Sequence, residues 1–131
     1  MEKITKQECF TWNQFDTACS DIVAKIRQQG WSFNTIYGLP RGGLIIAVKL
    51  SHLLNLKLIL NSSQIDNNTL VVDDIADTGK SLQKLIDEIR IKSHVASYRV
   101  VTLFYHKQSE VAPDIWLYEK TDRWIHFPWE K

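Results

Sequence analysis

Leu70-Val71-Val72-Asp73-Asp74-Ile75-Ala76-Asp77-Thr78-Gly79-Lys80-Ser81-Leu82 is the stretch on which the fold turns. It opens on a continuous apolar run of the kind found in a central parallel strand, buried on both faces. The run ends at two carboxylates and gives way to a turn of small residues. Leu82, Leu85, Ile86 and Ile89 then recur at i, i+3, i+4 and i+7, which predicts a helix with one apolar face.

The same alternation continues on both sides. Downstream, Arg99 to Tyr105 reads as a strand and Ile115 to Tyr118 as a last one. Upstream, Thr35 to Gly38 reads as a short strand and Lys57 to Leu60 as another. Between them, Gly43 to Leu54 is apolar nearly all round, which predicts a buried helix. Trp12, Phe15, Cys19, Ile22 and Ile26 mark an N-terminal helix, with Thr11 as its N-cap and Gly30 as its stop. Strands alternating with helices predict an α/β fold, one domain over residues 1–131, with a mostly parallel sheet flanked by helices. Such sheets place ligands beyond the carboxyl ends of their strands.

The bulk properties exclude several classes. The chain has 131 residues, 44% hydrophobic and 24% charged, with a net charge of +1. A chain of that length buries a core without disulfides or a structural metal. No basic stripe points to nucleic acid. The N-terminus has no apolar signal region, and Leu44 to Leu54 is too short and too interrupted to span a membrane. Cys9 and Cys19 match no zinc or redox spacing and read as thiols of a reducing cytoplasm. No motif partner accompanies His52 or His94, and His126 reads as a surface or interface residue.

The acidic stretch carries chemistry. Thr78, Gly79, Lys80 and Ser81 would offer backbone N–H groups, two hydroxyls and an ammonium at a helix N-terminus, a site for one phosphate group. Gly79-Lys80-Ser81 is not the end of a P-loop, because the position that needs a glycine holds Asp74. Asp73 and Asp74 cannot bind phosphate. They can accept hydrogen bonds from vicinal hydroxyls, or bind Mg²⁺ directly or through water. A ribose 5-phosphate offers both a phosphate and a diol. Farther upstream, Leu39-Pro40-Arg41-Gly42-Gly43 joins the first strand to the buried helix. Its glycines allow close backbone approach to a ligand, and Arg41 supplies a planar cation suited to phosphate oxygens.

Taken together, these stretches resemble the type I phosphoribosyltransferases, whose phosphoribosyl pyrophosphate motif has four apolar residues, two acids and a turn containing Asp-Thr-Gly-x-Ser/Thr. The resemblance implies that Asp73 and Asp74 hold the ribose hydroxyls and that Asp77, Thr78, Gly79, Lys80 and Ser81 hold the 5-phosphate. It implies that Arg41, Gly42 and Gly43 form the pyrophosphate loop, with a cis peptide entering Arg41. The C-terminal Trp124-Ile125-His126-Phe127-Pro128-Trp129 is similar to that of the xanthine-guanine enzymes and their small relatives. There the first tryptophan stacks on the purine and the next residue's backbone reads the ring edge, roles that fall on Trp124 and Ile125. Trp129 reads as a packing residue. In those relatives a lysine after a Thr-x-Phe strand binds the oxygen at purine position 6. Thr102-Leu103-Phe104-Tyr105-His106-Lys107 puts His106 at that place, with Lys107 one residue on, so either is a candidate base-binding residue.

The implied reaction is transfer of the 5-phosphoribosyl group to a 6-oxopurine, with Mg²⁺ as cofactor, in a cytoplasmic homo-oligomer, a dimer or a tetramer. Asp77 would handle a proton at the purine imidazole edge, and Arg41 would stabilise the leaving pyrophosphate. Many family members carry a long mobile hood between the second and third strands. Here only Asn61 to Asn68 fill that place. That is compatible with a more exposed site, a lid from a partner subunit or reduced activity. It also keeps open a non-catalytic sensor of phosphoribosyl pyrophosphate or nucleotide on the same fold. An enzyme acting on another base is a further alternative.

Overall fold

The computed structural model describes residues 7–91 and 97–130; His94 lies outside them. In chain order the elements are β1 (Gln7–Cys9), α1 (Trp12–Gln29), β2 (Thr35–Gly38), α2 (Gly42–Leu54) and β3 (Lys57–Ile59). A 3-10 turn (Ser62–Gln64) precedes β4 (Thr69–Ala76), α3 (Lys80–Ile91), β5 (Arg99–Tyr105), β6 (Ile115–Glu119) and β7 (Trp124–His126). Five strands form one sheet in the order β3-β2-β4-β5-β6, every pair parallel.

The alternation of side chains along each strand divides the core in two. Ile36, Leu70, Val72, Val101 and Leu103 share one cluster with Phe15, Cys19 and Ile22 of α1 and Ile46 and Leu50 of α2. Tyr37, Val71 and Val100 face the other way, against Leu82, Leu85 and Ile89 of α3. Both faces of β4 are therefore covered, which is why Leu70, Val71 and Val72 can all be apolar.

Local signals at α1 act as the sequence predicts. The Thr11 side chain accepts from Gln14 N at 3.1 Å and Gln14 Oε1 accepts from Thr11 N at 2.8 Å, a complete capping box. Gly30 closes the helix in the left-handed region, at φ 71°.

Some elements differ from the sequence pattern. Although apolar nearly all round, α2 is not buried all round: Val48 is 44% and Leu53 39% exposed. The sheet and α1 cover only part of its circumference. β4 does not end before the acids but runs to Ala76, since β5 continues beside it and pairs Asp73 with Thr102 and Ala76 with Tyr105. The C-terminal segment contributes a strand of its own, because β7 pairs in parallel with β1 in a separate two-stranded sheet. No helix among the described residues is long and apolar enough to cross a membrane.

Candidate functional site

The strand order reverses between β2 and β4, since β3 lies on one side of that pair and β5 and β6 on the other. The crevice beyond the carboxyl ends of those two strands is the place where an open parallel sheet binds ligands. β2 pairs with β4 only as far as Gly38 and Val72. From Asp73 onward β4 projects past β2 and leaves room for the Pro40–Gly43 turn.

Pro40, Arg41 and Gly42 from that turn face Asp73, Asp74, Asp77, Thr78, Gly79, Lys80 and Ser81 around a cavity of about 310 Å³. The structure thus brings the acidic stretch and the arginine-glycine turn into one site. The peptide bond from Pro40 to Arg41 is cis, as the resemblance implies. Gly42 and Gly43 approach their own chain. A methyl group on Gly42 would overlap the Asp74 carboxylate, and one on Gly43 would stand 2.6 Å from Val72 O. These glycines let the turn pack directly on the acids.

The acids are braced by the backbone. Asp74 N donates to Asp73 Oδ1 and Ile75 N donates to Asp74 Oδ1, each at 2.8 Å. Burial, and then the charge of Asp74, push the Asp73 carboxyl well above its usual range. No third metal-type side chain completes a cluster among the described residues. Two adjacent carboxylates without a full protein cage suit Mg²⁺, which keeps much of its shell for water and substrate phosphates.

Gly79 takes φ 80°, a conformation open to glycine, and turns the chain into α3. The first N–H groups of α3 have no acceptor within the helix. Lys80 N makes a long 3.3 Å bond to Thr78 Oγ1, ahead of the helix. Glu110 N donates to Thr78 O at 2.9 Å and ties the turn to the residues after β5.

The residues expected at a base lie at neighbouring strand ends. His106 N donates to Ala76 O at 2.8 Å, and His106 Nδ1 accepts from Gln108 N at 3.1 Å. Lys107 is exposed. Trp124 is 59% exposed on β7 and is not among the lining of this cavity, while Ile125 is buried. Trp129 packs on the core, stacked on Phe127 with ring centroids 4.8 Å apart. It also borders a second cavity of about 630 Å³ that shares Arg41, Gly42 and Asp74 with the first.

Two residues at the site escape sequence reading. Gln108 Nε2 donates to Asp77 Oδ1 at 3.0 Å, and Lys120 Nζ lies 3.5 Å from Asp77 Oδ2. The available signal was positional: Lys120 follows the last strand read in the sequence, Ile115 to Tyr118.

The Asn61–Asn68 connection is pinned to the body. Ile65 is buried in the second core cluster, Asp66 N donates to Thr69 Oγ1 at 2.9 Å, and that hydroxyl lies 2.8 Å from Thr35 Oγ1.

Comparison with known proteins places these features in a family. Residues 59–130 match the phosphoribosyl transferase domain model. The chain is 24% identical to a xanthine-guanine phosphoribosyltransferase of Idiomarina loihiensis, over 92% of this chain and 84% of that one. A purine phosphoribosyltransferase of Pyrococcus horikoshii superposes with a TM-score of 0.83 at 29% identity, covering 97% of this chain and 95% of that chain. The xanthine-guanine-hypoxanthine phosphoribosyltransferase of Helicobacter pylori gives a TM-score of 0.82 at 20% identity, covering 95% and 93%, and so shares the fold.

Proposed function

Since this chain belongs to the phosphoribosyl transferase domain family, we propose that it transfers the 5-phosphoribosyl group from phosphoribosyl pyrophosphate to a purine, with 6-oxopurines as its substrates. The observation that carries this reading is the single cavity in which the Arg41 turn faces both the acids of β4 and the N-terminus of α3. A cation, a diol acceptor and a phosphate cradle are the three things the substrate needs, and they converge there.

In this reading the N-terminal turn of α3, Thr78 to Ser81, holds the 5-phosphate through its N–H groups and hydroxyls. Asp73 and Asp74 accept hydrogen bonds from the ribose hydroxyls. Arg41 neutralises the departing pyrophosphate with its planar fork. The same two acids would hold Mg²⁺, which supplies charge neutralisation of pyrophosphate when bound. Asp77 accepts or shuttles a proton at the purine imidazole edge as the base bonds to the ribose carbon. Trp124 stacks on the base, Ile125 meets its edge through the backbone, and His106 and Lys107 are the donors at the end of β5. The xanthine-guanine and purine activities named for the relatives favour a purine as acceptor.

The pinned Asn61–Asn68 connection favours one other reading, a sensor that binds these ligands without turnover. Incubation with phosphoribosyl pyrophosphate, Mg²⁺ and a panel of free bases separates the two. Nucleotide formed from hypoxanthine, guanine or xanthine is the expected result. Binding without product from any base establishes the sensor, and a preference for orotate or uracil refutes the purine assignment.

A further inference from the structure

Successive residues leading into α3 are held from outside by one segment, the loop 106–111 that follows β5. His106 N donates to Ala76 O at 2.8 Å, Gln108 Nε2 to Asp77 Oδ1 at 3.0 Å and Glu110 N to Thr78 O at 2.9 Å. At Gly79 the loop fills the space that a side chain would need. A carbon added there would overlap Ser109 Oγ and stand 2.7 Å from Glu110 N and 2.9 Å from Val111 N.

Ser109 gives this loop its shape. Its hydroxyl donates to Val111 O at 2.7 Å and accepts from Val111 N at 3.2 Å, and its backbone N–H donates to His106 O at 2.8 Å. These bonds fold the loop back on itself, and Val111 anchors it in the second core cluster. The same hydroxyl oxygen faces Gly79. Ser109 is half-buried and lines neither of the two cavities that share Arg41, so any effect it has on a ligand passes through the turn.

Backbone N–H groups hold an anion well when they are already aimed at one point, because ordering them at the moment of binding costs conformational entropy. The turn supplies little of that order. Lys80 N makes a long 3.3 Å bond to Thr78 Oγ1, and the residue between them is a glycine, which has the widest backbone freedom. The loop supplies the rest, through the carbonyl of Thr78 and the face of Gly79.

We propose that Ser109 is a positioning residue for the phosphate-binding turn: its hydroxyl folds the 106–111 loop so that the loop fixes Thr78 and Gly79 in the conformation that receives a sugar phosphate. The assignment rests on the phosphoribosyl reading of the site and adds to it a residue outside the ligand cavities.

Ser109→Thr and Ser109→Val match each other in shape and differ in the hydroxyl. Calorimetry on the full chain with two probes tests the proposal: ribose 5-phosphate, which would occupy the turn, and Mg²⁺-pyrophosphate, which would occupy the Arg41 side. The valine variant should bind ribose 5-phosphate roughly tenfold more weakly, the weight of one or two neutral hydrogen bonds, with Mg²⁺-pyrophosphate changed by less than about twofold. The threonine variant should stay near the unaltered protein for both probes. Ser109→Ala takes the place of the valine variant if that does not fold. Equal affinity of the threonine and valine variants for ribose 5-phosphate overturns the role of Ser109, and so does a loss shared equally by the two probes; either leaves the phosphoribosyl reading intact. Failure of the unaltered protein to bind ribose 5-phosphate overturns both.

Discussion

Asp73 and Asp74 stand in a strand whose preceding residues are wholly buried, and that environment works against their charge. The Asp73 carboxyl is pushed up first by burial and then by its neighbour's charge. A residue kept at such a cost to folding is expected to gain from a ligand. Substituting both with asparagine preserves shape and the backbone bonds. It should leave the thermal midpoint unchanged or higher, while calorimetry shows affinity for Mg²⁺-phosphoribosyl pyrophosphate lowered well over tenfold, because charged hydrogen bonds are worth about 1.5–3 kcal/mol each. Cys19 is a second titratable group raised by burial. Its thiol is pushed up to about 12 from an ordinary 9.0, mainly by burial, with Asp16 adding to the shift and Lys49 opposing it. Cys9 is exposed. A thiol reagent at pH 8 should label only Cys9 in the native protein, and Cys9→Ser should label only after unfolding. The sign for stability follows from linkage. The folded state holds the Cys19 proton more tightly than the unfolded chain, so this contribution is intact below pH 9 and is lost as pH rises from 9 toward 12. Alkaline denaturation curves of Cys19→Ala and the native protein should converge in that window.

At the scale of elements, the entry into α2 is as constrained as the acidic strand. Gly42 lies against the Asp74 carboxylate with no room for a side chain. Gly42→Ala must therefore displace either the start of α2 or Asp74. The expected result is at least a tenfold loss in ligand affinity by calorimetry, with a fall of a few degrees in thermal midpoint. An alanine variant with native affinity would mean that the turn is not held on the acids. The elements that were legible in sequence are those with dense local signals. Thr11 and Gly30 bound α1, and the Leu82, Leu85 and Ile89 face marks α3. The exposed face of α2 was not legible, because hydropathy records what a side chain prefers and not which neighbours reach it.

For the molecule as a whole, the two ends of the chain meet. Phe10, just after β1, packs its ring against Phe104, Tyr118 and Phe127, at centroid distances of 5.5, 6.0 and 5.8 Å. It joins the first strand, two sheet strands and the C-terminal segment in one aromatic cluster. Phe10→Ala should cost about 3–5 kcal/mol in chemical denaturation, the usual penalty for emptying a buried phenylalanine site. The same variant should loosen the C-terminal segment, seen as faster amide exchange at Ile125 and Phe127. A loss below about 1 kcal/mol would show that the ends are held by other contacts.

What the sequence determined by itself is what is written locally. The apolar run at Leu70–Val72, the acids that follow and the helical spacing from Leu82 were enough to place a central strand, a turn and a helix. The short-range order of Asp73 to Ser81 was enough to expect sugar and phosphate chemistry there. The tertiary structure alone decided which distant residues join that stretch. β1 and β7 are three residues each and exist only by pairing across nearly the whole chain, so no local pattern marks them. Lys120 reaches Asp77 because the β5–β6 register sets Tyr105 opposite Glu119. A shift of one residue in that register would turn its side chain to the opposite face of the sheet. Strand register is fixed by packing on both faces of the sheet, a property of the folded molecule and not of any segment within it.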